Sequence, residues 1–297
     1  MSHKILSVGE MLWDAFPEGL FLGGAPFNVA CHLHTLGCHV KMLSRIGEDI
    51  LGREIVDRMH QKKMDISLIQ IDSTHDTGLV KVQLNEKGIP KFKIVQPSAW
   101  DFIELNKKLE HTLVDTDVLI FGTLAQRSAK TRSTIQQIRL KVKFNVYDVN
   151  LRPPFDDREI VLESLEGNWI VKLNDDELQV LSAWFDLPQR LKNAAEELQQ
   201  KFQIGMLCIT QGAHGAMLFD GKHWYEHAGY KIEVVDTVGS GDGFLAGFLF
   251  KLLSGAEPDE CLDFANALGA FIATRPGATP EFSEQEIEIF KKQKVRL

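Results

Sequence analysis

Short apolar runs alternate with longer amphipathic ones along most of the chain, and this alternation constrains the fold more than any other feature. Strand candidates are 4–8 (KILSV), 40–46, 117–121 (DVLIF), 144–149, 168–172, 205–210 (GMLCIT), 215–219 and 231–235 (KIEVV). Helices are expected at 28–36, 50–63, 128–141, 157–166, 174–183, 188–201, 242–254 and 259–274. Within 50–63, Ile55, Val56 and Met59 recur at helical spacing. Pro258 precedes the last of these helices, where a helix start tolerates it. Continuous apolar strands alternating with helices predict an α/β fold with a parallel sheet covered on both faces. A length of 297 residues suits one large domain, or a core with a small accessory piece.

One stretch breaks the rhythm. Residues 77–95 alternate at period two around Asn85-Glu86-Lys87-Gly88, which reads as a β-hairpin. With residues 11–22 it can form a small sheet projecting from the core. Such a sheet would be apolar on one face, serving as a lid, as a dimer interface or as mere decoration.

Charge and cysteine usage narrow the function classes. Lys+Arg is 33 against Asp+Glu 41, a net charge of −8, which speaks against a general nucleic-acid binder. No apolar run approaches a membrane span, and the N-terminus lacks the pattern of a signal peptide, so a cytoplasmic protein is expected. Cys31, Cys38, Cys208 and Cys261 form no CxxC pair and read as reduced, buried small hydrophobes. The histidines show no metal spacing.

The segment KIEVVDTVGSGDGFLAGFLFKLLS carries the chemistry. A β-rich run ends at Val235; Gly239, Ser240, Gly241 and Gly243 follow, and an apolar helix begins at once. Backbone amides in such a turn converge on an anion, and the helix N-terminus adds partial positive charge. Asp242 sharpens the reading, because a passive phosphate cradle would not place a carboxylate there. It makes sense as a general base beside a hydroxyl that attacks phosphorus, accepting the proton late in a loose phosphoryl transfer. The competing reading is a helix cap. P-loop, GxGxxG and GxSxG patterns all fail in this segment. A second glycine pair, Gly23-Gly24, precedes Asn28 and a helical run, and Asp14 lies upstream beside Trp13. Asp14 and Asn28 together offer the acceptors and donors that a polyol needs. The plainer alternative is a turn and a capped helix.

GGAPFNVACHLHTLG and DTVGSGDGFLAGFLF resemble, in that order, the two signature segments of the ribokinase-like sugar kinases, the phosphofructokinase-B type family. The likeness extends over nearly the whole chain. GEMLWDAFP, AWDFI, FGTLAQRS and DVNLRPP are most similar to the fructokinase branch. The resemblance implies a single domain over 1–297, an αβα sandwich with a β lid from about 11–22 and 75–100. It implies transfer of the γ-phosphoryl group of ATP to a sugar hydroxyl. The family's base falls on Asp242 and its anion hole on Gly239, Ser240 and Gly241, with Ser240 where many members have Ala. Its sugar ligands fall on Asp14, Gly23, Gly24 and Asn28.

The resemblance further implies nucleotide and phosphate contacts at Asn150, Arg152, Lys172, Thr210, Gly212 and Gly215. The adenine pocket is expected from the loop before Asp236 and the helix near Asn266. Asn174 and Glu177 match the region that positions Mg²⁺ through water, although the same pair also reads as a capping box. Asp236, Val238, Arg275 and Gly277 stand where many members bind K⁺ through backbone carbonyls. A homodimer through the lid is implied as well.

The expected activity is therefore ATP-dependent sugar phosphorylation, with fructose as the leading substrate. Another sugar, a sugar acid or a nucleoside is the alternative, and a non-catalytic binding protein is the remaining one. A sugar acid needs a cation. Segment 10–28 has no Lys or Arg, while Lys81, Lys91 and Lys93 lie in the hairpin.

Overall fold

The computed structural model describes residues 3–16, 19–84 and 90–294. Its centre is a nine-stranded sheet. In chain order the strands are β1 (Lys4–Val8), β4 (His39–Gly47), β5 (Ile69–Asp72), β8 (Val118–Gly122), β9 (Phe144–Asp148), β10 (Ile170–Asn174), β11 (Met206–Thr210), β12 (Ala216–Phe219) and β13 (Trp224–His227). Across the sheet the order is β5-β4-β1-β8-β9-β10-β11-β12-β13. Every neighbouring pair from β5 to β11 is parallel, and β12 and β13 close the edge antiparallel.

Alternate residues of the inner strands feed two different cores, as the pleat requires. Leu119, Phe121, Val171 and Leu173 pack with α3 (Lys107–Leu113), α4 (Ala129–Arg139), α5 (Arg158–Leu165), α6 (Asp175–Phe185) and α7 (Leu191–Lys201). Val118, Ile120, Val146 and Ile170 pack with α1 (Ala25–Thr35), α2 (Ile50–Gln61), α8 (Ser240–Leu253) and α9 (Pro258–Ala273). The result is the three-layer αβα sandwich. A third cluster, with Phe264, Phe271 and Phe290, seats α10 (Glu284–Gln293) on α9.

A separate four-stranded sheet has the order β3-β2-β6-β7, from β2 (Leu12–Phe16), β3 (Gly19–Gly23), β6 (Gly78–Leu84) and β7 (Pro90–Ile94). β6 and β7 pair antiparallel, with Val80 opposite Ile94. The expected turn at Asn85, Glu86, Lys87 and Gly88 lies outside the described residues, as does the Lys91 side chain.

One expected strand does not form. Residues 231–235 make no ladder; the Val235 and Asp236 amides instead donate to the Ala273 carbonyl at the end of α9 (2.8 and 3.2 Å). Val234 and Val235 stay 60% and 64% exposed, so their β-branched side chains have no pleated neighbour to pack on. The glycine turn thus follows an extended loop, not a strand. The structure also adds β5, β13, α3 and α10, which lack a strong apolar period. Asn106 caps α3, and a Ser283–Glu286 capping box starts α10.

Candidate active site

The parallel strands β1, β8, β9, β10 and β11 end on the same side, where open α/β sheets bind ligands. Asp242 enters this rim from the first turn of α8 and is buried. Its Oδ2 accepts a hydrogen bond from Asn28 Nδ2 of α1 at 2.8 Å, across 214 residues of sequence. The helix cap is Gly239, which makes no side-chain cap bond, so Asp242 serves its neighbour across the site and not its own helix. Burial, then the Asp148 charge, push its carboxyl up to about 6, against the Asn28 bond, Lys172 and Arg152.

The loop geometry explains its glycines. Gly239 has φ +79°, and a Cβ there would lie 2.5 Å from the Ala278 carbonyl oxygen. A Cβ on Gly241 would stand 3.3 Å from Lys172 Nζ, so the loop's amides and the lysine share one small space. Lys172 is buried in β10 and donates to Asp148 Oδ1 at 3.0 Å. Burial opposes its charge, but Asp148, Glu177 and Asp242 outweigh that and hold the ammonium above its ordinary value. The Ser240 hydroxyl and Asn28 Oδ1 are buried without a protein partner.

On the β2 side, Asp14 sits opposite Phe21 of β3, and its Oδ2 would be 2.8 Å from a Cβ on Gly23. Gly24 has φ +113°, and a Cβ there would strike the Glu10 carbonyl. Burial pushes the Asp14 carboxyl up to about 6, with the Arg152 charge opposing. Asn150, also left-handed at φ +39°, turns the chain after β9 so that Arg152 acts on Glu10, Asp14 and Asp242 together. A cation therefore acts on these three carboxylates from a segment outside the hairpin. Lys81 and Lys93 pair across β6 and β7 and are exposed.

Beyond Gly241 opens a cavity of about 580 Å³. Asn174, Thr210, Gly212, Gly215, Ser240 and Asn266 are on its wall. Asn266 gives one amide hydrogen to the Leu262 carbonyl, which leaves its oxygen and its second amide hydrogen for a ligand. Asn174 and Glu177 form a full capping box, and the second Glu177 oxygen accepts the Leu151 amide at 2.8 Å. Both carboxylate oxygens are thereby occupied by backbone donors. A direct metal bond at Glu177 would compete with them, and contact through water suits the arrangement better. Among the described residues no group of three or more His, Cys, Asp or Glu could hold a metal ion.

The segments 236–238 and 275–277 do meet. Asp236 accepts from the Val238 and Gly277 amides at 3.0 and 3.2 Å. Arg275 lays its guanidinium over Phe271. His32 bonds the Ala278 carbonyl behind Gly239 at 3.0 Å, and burial pushes it down to about 4. Within DVNLRPP the motif match does not single out Asp148; the signal that marks it is a carboxylate at the end of a strand, FNVYD.

A family model for pfkB family carbohydrate kinases matches residues 17–285. The chain is 30% identical over 310 residues to a fructokinase of Escherichia coli, covering 97% of this chain and 99% of that one. It is 28% identical to a fructokinase of Salmonella typhimurium, over 94% of this chain and 95% of that one. A Vibrio cholerae fructokinase, solved in a fructose, ADP and calcium ion bound form, superposes with TM-score 0.82 at 23% identity, covering 97% of this chain and 98% of that one. An Escherichia coli putative ribokinase II in complex with ATP and Mg²⁺ gives TM-score 0.84 at 21% identity, over 98% and 99%. The two signature segments, the sandwich topology and the family match over most of its length converge: the chain belongs to the pfkB family of carbohydrate kinases and is an ATP-dependent sugar kinase.

Proposed function

We propose that the enzyme phosphorylates D-fructose to fructose 6-phosphate. The observation that carries the chemistry is the buried Asp242 carboxylate, oriented by Asn28 at the mouth of the glycine loop. Asn28 occupies Oδ2 and leaves Oδ1 to take the proton of the attacking sugar hydroxyl. A carboxylate raised to about 6 is a better proton acceptor than an ordinary one and is still ionised at neutral pH. The amides of Gly239 and Gly241, with Lys172 behind them, face the transferring phosphoryl oxygens; the Ser240 amide donates to the Thr237 carbonyl at 3.2 Å, so Ser240 offers its unpartnered hydroxyl. Asp14, Gly23, Gly24 and Asn28 hold the sugar, and Arg152 offsets the charge of the facing carboxylates.

The triphosphate lies against Asn150, Arg152 and Lys172, and the nucleoside fills the cavity bounded by Thr210, Gly212, Gly215 and Asn266. Mg²⁺ would be positioned through water by Asn174 and Glu177, supplying charge neutralisation on the phosphates. K⁺ would take backbone carbonyls from Asp236, Val238, Arg275 and Gly277. The sheet of 11–22 and 75–100 acts as the lid that excludes water, which matters because ATP hydrolysis competes. Leu20 and Phe21 on its edge strand are 45% and 41% exposed, which supports pairing of two lids in a homodimer. Four free thiols suit a reducing, cytoplasmic setting.

The relatives called fructokinases favour fructose. Arg152 gives a sugar-acid reading a specific foothold, because it is a cation on the substrate side. The experiment is coupled ADP release with Mg-ATP on fructose, ribose, glucose, 2-keto-3-deoxygluconate, fructose 6-phosphate and adenosine, with and without K⁺. Strong preference for fructose supports the proposal. Preference for the sugar acid overturns the substrate and keeps the mechanism.

A further inference from the structure

Glu10 follows β1 and is 3% exposed, yet its Oε2 has no protein hydrogen-bond partner. Asp148, 4% exposed, has Oδ2 in the same condition while Oδ1 takes the Lys172 bond. Both residues line one narrow space of about 10 Å³, close to that needed by a single water. Val29 and Ile120 make part of its wall aliphatic, and Thr123 is its nearest hydroxyl-bearing residue. The Thr123 proton is already given to the Val149 carbonyl, so Thr123 has none to donate to either carboxylate. Two buried carboxylate oxygens on one such space are costly unless a donor lies between them.

We propose that one buried water bridges Glu10 Oε2 and Asp148 Oδ2, with the proton of the pair on Glu10, making Glu10 a positioning residue for the phosphoryl-transfer site. The chain of bonds then converges on Asp148 from both ends. The Glu10 hydroxyl donates to the water, the water donates to Asp148 Oδ2, and Lys172 donates to Asp148 Oδ1. It ends directly beneath Gly241. The Lys172 ammonium already bonded to Asp148 leaves the shared proton to Glu10.

The groups facing Glu10 agree with this assignment. From the loop after β9 Arg152 favours its charged form, and from α8 Asp242 opposes it. From α1 the Ala25 amide faces its carboxyl, and Asp148 stands across the cavity. Burial dominates and pushes Glu10 up to about 7. Glu10 also anchors the start of α1, whose own cap residue Gly24 has no side chain to offer. The helix so anchored carries Asn28, the partner of Asp242.

The functional consequence rests on the reading of Asp242 as the base; the water does not. Two measurements separate them. A crystal structure of the wild-type enzyme should show one ordered water within hydrogen-bond distance of both carboxyl groups. Direct carboxyl–carboxyl contact, or a dry cavity, overturns the proposal whatever the activity. Glu10→Gln keeps the shape and cannot ionise. Between about pH 6 and about pH 8.5 the wild-type kcat/KM should fall about tenfold relative to the variant, as Glu10 ionises and adds a charge near Asp242. A constant ratio overturns the assignment of the proton. A wild-type enzyme inactive on every sugar sinks the kinase mechanism and leaves the crystallographic arm to decide the water.

Discussion

Two sets of buried and half-buried carboxylates in this molecule are built in opposite ways. Around the glycine loop, Glu10, Asp14 and Asp242 are desolvated, have few donors and are pushed up to about 7, 6 and 6. Behind the cavity of about 580 Å³, Asp263 of α9 accepts from His227 Nε2 at 3.0 Å, Tyr230 Oη at 2.5 Å and Lys291 Nζ at 3.1 Å. Burial opposes its charge, but these donors overcome it and hold Asp263 well below the usual carboxylate range. The second cluster ties β13, α9 and α10 together, and Tyr230 belongs to the cavity wall. The difference teaches where stability and reactivity reside. Donors that satisfy a carboxylate make it structural, and donors withheld leave it able to take a proton or a ligand.

The sharpest way to break the comparison is Asp242→Asn. Turnover should fall roughly 10²–10⁴-fold, the usual worth of a general base, with sugar binding retained in a calorimetric titration. Near-normal turnover would return Asp242 to a structural role. The same variant should be no less stable than wild type. Asp242 binds its proton more tightly when folded than at its ordinary value of 3.8, so the native state is favoured at low pH. That advantage is lost as pH rises from about 4 to about 6, a change of roughly 2–3 kcal/mol. Thermal unfolding followed against pH should show this slope in wild type and a flatter one in the variant.

Asp14→Ala should raise the sugar KM about 10–100-fold, as loss of a hydrogen bond to a charged group does, and move the ATP KM far less. Equal movement of both constants would remove Asp14 from the sugar side. The structural cluster predicts the reverse behaviour. Asp263→Asn should lower stability by about 1–2 kcal/mol, partial exposure discounting the ion-pair share. Its sign with pH is also opposite. The contribution of Asp263 is present above its unfolded value and is lost as pH falls through its depressed folded value, so the variant should lose less stability in acid. Denaturant unfolding at two pH values measures both effects.

Much of this was legible in the chain. GSGD before an apolar helix announced an anion loop with an acid inside it, and GGAPFN announced a close approach followed by a polar helix residue. The alternation of strand and helix was enough for a parallel sheet. The strand expected at 231–235 failed because β-branched residues describe a preference for a pleated surface, and here the Val235 and Asp236 amides go to the end of α9 instead of a neighbouring strand. Asn174 and Glu177 were read as a metal region or a capping box. The box is present, and the Leu151 amide that completes Glu177 could not be foreseen from the local pattern.

What the sequence by itself determined was local. It set which segments are strands or helices, where glycine is required, and which residue types stand in the two signature segments. Only the tertiary structure decided that Asn28 meets Asp242, that Lys172 neutralises Asp148 beneath Gly241, and that Glu10 shares a water-sized space with Asp148. The physical reason is that desolvation and pairing depend on which strand ends are neighbours. That order, with β1 between β4 and β8 and β9 beside β10, is a property of the assembled sheet.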